Sequence, residues 1–297
     1  MLKKFLRGKF NKFVRNSYEI SSLRTKLDLS FKSNFSYMAL QRDGLLAQWD
    51  YLLNKNKACK KVVYTCITGG YDDLPLHIYF NPDYDYVCYT DSPELLHYKN
   101  YGAWKIRKLA YNNENSTIVN RWHKSHPHIL FKDEYLESIY IDSNIIVIGP
   151  LLFNEIEEHS SADILIPKHN LRDCIYNECD AVLERKKCSP DAVEKIKNYL
   201  LEQNFPKNYG LNENNIIYRK HLEPKIVKIM DEWWYFIENF CYRDQLSLAY
   251  ILWKNGIKPS DIQITNVRET KNYIISVHGG RQSYYNYNRG TNCNFLK

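Results

Sequence analysis

The sequence predicts an α/β protein: a mainly parallel sheet sandwiched by helices, entered through an N-terminal helical arm. Two observations point there. Short runs rich in Val, Ile and Tyr, such as "KKVVYTCI" and "YDYVCYT", alternate with helix-like segments through the first half. A length of 297 residues with 44% hydrophobic and 25% charged side chains fits one large soluble α/β domain or two modest ones.

The arm comes first. Leu2, Phe5, Leu6, Phe10, Phe13 and Val14 recur at three- and four-residue spacing, with basic residues in most of the gaps. Such a helix either lies in the headgroup layer of an anionic bilayer or packs against protein. Lys3, Lys4, Arg7, Lys9, Lys12 and Arg15 all precede the first acid, Glu19. Without these six, the formal charge of +7 falls to +1, so no general nucleic-acid footprint is expected. Residues 17–56 look helical but irregular and end in the apolar-periodic "LLAQWDYLLNK".

The texture changes at Lys60. "KKVVYTCITGGYDDL" is a strand closed by two glycines, "YDYVCYTD" a second strand ending at Asp91, and "WKIRKLAY" a third. Asn115 or Ser116 can cap a helix that carries Arg121 and Lys124 and stops before Pro127. "IYIDSNIIVI" and "SADILIPKH" are further strands, helices are expected at 190–204, 224–239 and 245–255, and "NYIISVHGG" closes the ordered part. The residues from 282 to 297 lack periodicity. Eight cysteines show no CxxC and no zinc spacing, which fits reduced thiols in a cytosolic protein. No apolar run is long enough to span a membrane, and no apolar h-region marks a secretory signal.

Ligands of open α/β sheets bind beyond the carboxyl ends of the strands, where the unusual polar residues of this chain cluster. Thr65, Thr68, Gly69, Gly70, Tyr71 and Asp72 end and follow the first strand; the glycines form a turn or let a ligand approach the backbone. Asp91 either caps a helix or accepts hydrogen bonds from a nucleobase. Asp142 and Asn144 are ordinary turn formers, or two oxygen ligands for a hard cation such as Mn²⁺ or Mg²⁺. His278 could add a third ligand and Arg281 a phosphate contact. Asp244 begins a helix as a cap, a base or an acceptor contact. His169, Arg172, Asp173 and Glu178 crowd one loop, and Trp234 could offer a sugar an indole face.

In this order the motifs "VVYTCITGGYDDL", "HPHILFKDEYLESIYIDSNIIV", "PKHNLRDCIYNE", "GLNENNIIYRKH", "WW" and "RDQLSLAYILWK" resemble a glycosyltransferase-like domain family once known as a domain of unknown function. Its members include plant proteins of mucilage synthesis and turgor regulation and bacterial proteins of surface-polysaccharide clusters. The resemblance covers about residues 60 to 255 and implies an A-type glycosyltransferase fold, Rossmann-like on its nucleotide side. It divides the chain into an arm (1–57), a catalytic domain (58–281) and a tail (282–297). It implies that Thr65, Thr68, Gly69, Gly70, Tyr71, Asp91, Arg121, Asp142 and Arg281 serve the nucleotide-sugar. His169, Arg172, Asp173, Glu178, Trp234 and Gln245 would line the donor-sugar and acceptor cleft. Asp142, Asn144 and His278 would hold Mn²⁺ or Mg²⁺, although Asn144 departs from the common D-x-D and leaves metal dependence open. Asp244 would act as base if the reaction inverts, or orient the acceptor if it retains.

Two functions compete on this reading. One is a nucleotide-sugar-dependent glycosyltransferase, hexosyl or related, acting on a saccharide or lipid-linked acceptor in bacterial capsule, O-antigen or lipopolysaccharide synthesis. It would be cytoplasmic and peripheral, held at the inner membrane face through residues 1–15. The other is a non-catalytic nucleotide- or carbohydrate-binding module of the same fold, which Asn144 favours slightly.

Overall fold

The computed structural model describes residues 39–276 and the backbone of 285–286 and 291–292; the described residues from 44 onward belong to one compact unit. Helix α1 runs to residue 54. The chain then continues through β1 (Lys61–Ile67), β2 (Tyr84–Thr90), α2 (Pro93–Leu96), β3 (Asn100–Tyr101) and β4 (Trp104–Lys108). Helices α3 (Ser116–Ser125) and α4 (Pro127–Leu130) lead to β5 (Glu137–Ile141) and β6 (Ile145–Val147). After them come α5 (Leu151–Glu158), β7 (Ile164–Pro167), α6 (Ile175–Glu184) and α7 (Pro190–Glu202). The last segments are β8 (Ile216–Arg219), α8 (Pro224–Asn239), α9 (Leu248–Lys254), β9 (Gln263–Ile264) and β10 (Tyr273–Ile275). Two short strands, β11 (Tyr285–Asn286) and β12 (Thr291–Asn292), pair antiparallel.

Eight strands form one sheet in the order β3-β4-β2-β1-β5-β8-β7-β9. β4, β2, β1 and β5 are mutually parallel; β8 is antiparallel to both its neighbours, which points β7 and β9 the same way as β5. The sheet is therefore mainly parallel and flanked by helices, as the sequence predicts. Side-chain alternation separates two cores. Val62, Tyr64 and Cys66 of β1 join one apolar cluster, which holds residues of α6 to α9, whereas Val63 and Ile67 join the other, which holds residues of α5. The near-continuous apolar strands follow from this burial on both faces.

The expected elements shift in two informative places. "IYIDSNIIVI" is not one strand. β5 stops at Ile141, the amide of Ile145 donates to the carbonyl of Asp142 at 3.0 Å, and β6 leaves the turn to pair with β10. The helix expected over 245–255 is a 3-10 turn at Asp244–Leu246 followed by α9. The Asp244 carbonyl accepts instead from the Trp233 indole at 3.0 Å, the Asn214 amide at 3.2 Å and the Ser247 hydroxyl at 3.3 Å. Side chains have taken an acceptor that a regular helix would use.

Cysteine pairing also departs from expectation. Cys188 and Cys241 form a disulfide across 53 residues, while Cys59, Cys66, Cys88, Cys174 and Cys179 are free. The bond joins the start of the Ser189–Pro190 cap of α7 to the segment just before Asp244. Cys59 lies at the start of the sheet, where its thiol donates to the Asp83 carbonyl at 2.6 Å.

Three histidines sit in the interior around α3 and β8. Burial lowers His123, His126 and His221 to about 4, so they are neutral in the fold at neutral pH. Because the unfolded chain takes up these protons first, stability present above pH ~6.5 declines as the pH falls towards 4. Thermal unfolding at pH 7 and pH 4.5 should show a Tm lower by at least about 5 °C at the acidic pH, a shift of a few kcal/mol. An equal Tm at both would contradict the burial of these imidazoles.

Candidate active site

The carboxyl ends of β1, β2 and β5 lie side by side, so the turns after them share one edge of the sheet. A cavity of about 480 Å³ opens there, and Thr68, Tyr71, Arg121, Asp142, Asn144, Asp244 and Gln245 line it. These residues span 178 positions of sequence and meet because parallel strands end together.

The first loop is built for a tight turn. Gly69 and Gly70 have φ of +68° and +63°, and a Cβ on Gly69 would lie 2.9 Å from Ser116. Asp91 receives the Thr68 hydroxyl at 2.8 Å and the Gly69 amide at 2.8 Å. It therefore braces the loop of β1 from the end of β2. Ser143, in the turn after β5, donates to Asp72 and adds a second brace.

Helix α3 delivers the cations. Asn115 caps its start by accepting from the Thr117 amide at 2.9 Å. Its last carbonyls are held from inside the fold: Arg219 donates to the Lys124 carbonyl at 2.7 Å, and the Tyr64 hydroxyl to the same carbonyl at 3.1 Å. Arg219 also donates to Tyr64 at 2.7 Å. This clamp places Lys124, only 1% exposed, with its ammonium 2.9 Å from Asp244 and 3.3 Å from Asp142. The ammonium also stands 4.8 Å from the Tyr140 ring centre. Arg121, one turn earlier, approaches Asp244 at 3.4 Å and receives support from Asn120 at 2.7 Å.

Burial by itself would raise the Asp244 carboxyl, but Arg121, Lys124 and Arg243 outweigh it and hold the group far below the usual carboxylate range. Asp244 is thus an anion at every ordinary pH. A carboxylate so stabilised is a weak proton acceptor. Its carboxylate pairs with both Arg121 and Lys124 and so holds the two cations together.

For a metal, the donor set is small. The Asn144 amide nitrogen donates to the Ser276 carbonyl at 3.2 Å, which leaves its oxygen, with the Asp142 carboxylate, as hard donors lining the cavity. These two groups fit part of a divalent-cation shell. Among the described residues no cluster of three carboxylate, imidazole or thiol groups forms a complete site. His278 and Arg281 lie outside the described residues, as does the basic arm at 1–15.

Other expected residues stand apart from the cavity. Thr65 is fully buried within β1. Arg172 pairs with Glu178, and His169 lies 3.7 Å from Glu178 while its Nδ1 accepts the Leu171 and Arg172 amides at 3.2 and 3.0 Å. That group closes its own loop at the start of α6. Asp173 is exposed, and its carbonyl takes the Gly210 amide at 2.8 Å. Trp234 packs edge-on against Tyr111 and His126. Conversely, Lys124, Arg243 and the pair Asn214–Asn215 line the cavity without having been assigned a part by the sequence. The basic and amide residues flanking "RDQ" and "GLNENN" were the available signal.

A family model described as the TOD1/MUCI70 glycosyltransferase-like domain matches residues 46–279. The chain belongs to this family. Three solved structures are distantly similar to the chain. The apo structure of the bifunctional WbbM has a TM-score of 0.41 at 14% identity, over 72% of this chain and 40% of that one. The apo mouse xyloside xylosyltransferase 1 gives 0.38 at 9% identity, over 70% and 84%. Residues 1–349 of TarS from S. aureus give 0.34 at 13% identity, over 76% and 59%. No curated protein matches the chain in sequence. No described helix is long and apolar enough to cross a membrane.

The buried ion cluster predicts a stability contrast. Lys124→Met removes the cation shared by two carboxylates and should cost about 3–5 kcal/mol, read by denaturant unfolding. Lys254→Met, which removes a surface partner of Glu232, should cost under about 1 kcal/mol. Comparable small losses for both would show that the cluster carries little of the fold.

Proposed function

We propose that the protein transfers a sugar from a nucleotide-sugar donor to a saccharide or lipid-linked acceptor, in bacterial surface-polysaccharide synthesis. The observation that carries this reading is the meeting of Arg121, Lys124, Asp142, Asn144 and Asp244 in one cavity at the strand ends, in a glycosyltransferase-like family. The loop from Thr68 to Tyr71, braced by Asp91, would receive the nucleoside. Arg121 and Lys124, with Arg243, Lys186 and Lys187 at the same cavity, would face the diphosphate.

The acceptor oxygen would form a bond to the anomeric carbon while the bond from that carbon to the diphosphate oxygen breaks, and the acceptor's hydroxyl proton would pass to the departing diphosphate. Negative charge then grows on the leaving diphosphate, where preorganised cations stabilise it more than they do the ground state. Asp142 and Asn144 would contribute two oxygens to a bound Mn²⁺ or Mg²⁺, which would supply further charge neutralisation there. Asp244 would keep Arg121 and Lys124 aimed at that position and orient the acceptor hydroxyl. Its depressed pKa argues against a role as the base. The basic arm would keep this cleft at the anionic inner face of a cytoplasmic membrane.

Two measurements test this reading. A thermal-shift screen of nucleotide-sugars should give stabilisation by one donor class, larger with Mn²⁺, and Asp142→Ala should abolish the Mn²⁺ increment. No shift with any nucleotide-sugar, with or without the cation, would remove the donor assignment. With the donor found, Asp244→Asn should keep donor affinity within about threefold while transfer falls about 100-fold or more. Unchanged turnover would exclude Asp244 from the site chemistry.

A further inference from the structure

The stretch of α1 from residue 44 to 54 has two apolar faces, and among the described residues only one is covered. Its inner face is fixed to the sheet: the Tyr51 hydroxyl donates to the Tyr84 carbonyl at 3.0 Å, and the Gln48 side chain accepts the Ala103 amide at 2.9 Å. Tyr51 is 2% exposed and packs on Phe80 and Tyr86. The opposite face carries Leu45, Leu46, Trp49, Leu52 and Leu53, which are 61, 61, 67, 51 and 69% exposed. At helical spacing these five fall within an arc of roughly 120°, which makes a continuous stripe rather than scattered side chains. Exposed apolar stripes of this kind mark interaction surfaces.

The charge of the chain indicates what covers the stripe. Residues 1–38 hold nine basic side chains and two acidic ones, which accounts for the whole formal charge of +7. The remaining residues, 39–297, are electrically balanced. All the net positive charge therefore joins directly onto the segment bearing the stripe. An anionic lipid surface satisfies both features, since headgroups attract the cations and the acyl boundary takes Leu and Trp. A second copy of the chain would bury the stripe but bring two +7 segments together, which repel.

We propose that the outer face of residues 44–54 docks on an anionic bilayer, with Leu46, Trp49 and Leu53 entering its interface. This extends the membrane reading given above from the basic arm to a rigid face of the folded unit. It does not depend on the sugar-transfer chemistry.

The test uses the full chain and vesicles of phosphatidylglycerol mixed with phosphatidylcholine, read by flotation. Leu46→Gln, Trp49→Gln and Leu53→Gln combined should lower partitioning at least about tenfold, with circular dichroism and Tm unchanged because the three side chains are exposed. Deleting residues 1–15 separately should weaken binding and flatten its loss with salt, because six cations go with the segment; this arm of the experiment judges the basic segment alone. Phosphatidylcholine vesicles should bind the parent weakly. Equal partitioning of parent and triple variant, or no vesicle binding by the parent, would overturn the proposal. A dimeric parent converted to monomer by the triple variant, with vesicle binding intact, would overturn it in favour of self-association. Donor-induced thermal shifts should be the same in parent and triple variant, so failure here is distinguishable from failure of the transferase reading.

Discussion

The ammonium of Lys124 lies between the carboxylates of Asp142 and Asp244, almost out of contact with water. Burying such a charge is costly unless opposite charges and hydrogen bonds compensate it. The compensation comes from three parts of the chain: the turn after β5, the 3-10 turn at Asp244–Leu246, and α3 itself. Once formed, the cluster fixes where those parts meet. Arg219 and Tyr64 complete it by holding the carbonyl end of α3, so a strand on one side of β5 and a strand on the other both determine the position of one lysine.

This constraint connects fold to chemistry. If the cleft takes a diphosphate, as proposed, it needs positive charge held in place before the ligand arrives, because freely moving side chains would lose entropy and orientation on binding. Arg121 and Lys124 are placed one helical turn apart and anchored by Asp244. The anchoring carboxylate is depressed so far that its proton affinity is small, which separates a positioning role from a basic one. Asp91 likewise acts through hydrogen bonds, tying the glycine turn to the end of β2.

Much of this was legible in the sequence. The strands "VVYTCI" and "YDYVCYT", the Asn115 cap and the helices over 190–204 and 224–239 follow from periodicity and capping, which are local properties. Thr68, Tyr71, Asp142 and Asn144 could be chosen because polar residues at the ends of apolar strands are unusual, Asp244 because it opens an expected helix, and Arg121 and Gln245 only through the family resemblance. The group His169, Arg172 and Glu178 attracted the same reasoning, but its members satisfy one another beside α6. Local density of functional side chains does not tell whether they turn towards a cleft or towards each other.

The sequence by itself determined the class of the fold, the positions of the first strands and of the helices over 190–204 and 224–239, and the concentration of positive charge before residue 39. Periodicity, caps and charge are written along the chain, so no distant contact is needed to read them. Only the tertiary structure decided that Lys124 joins Asp142 to Asp244, that Cys188 pairs with Cys241, and that Leu45 to Leu53 leave one apolar face uncovered. Each depends on which segments become neighbours, and that is set by the order and direction of strands in the sheet.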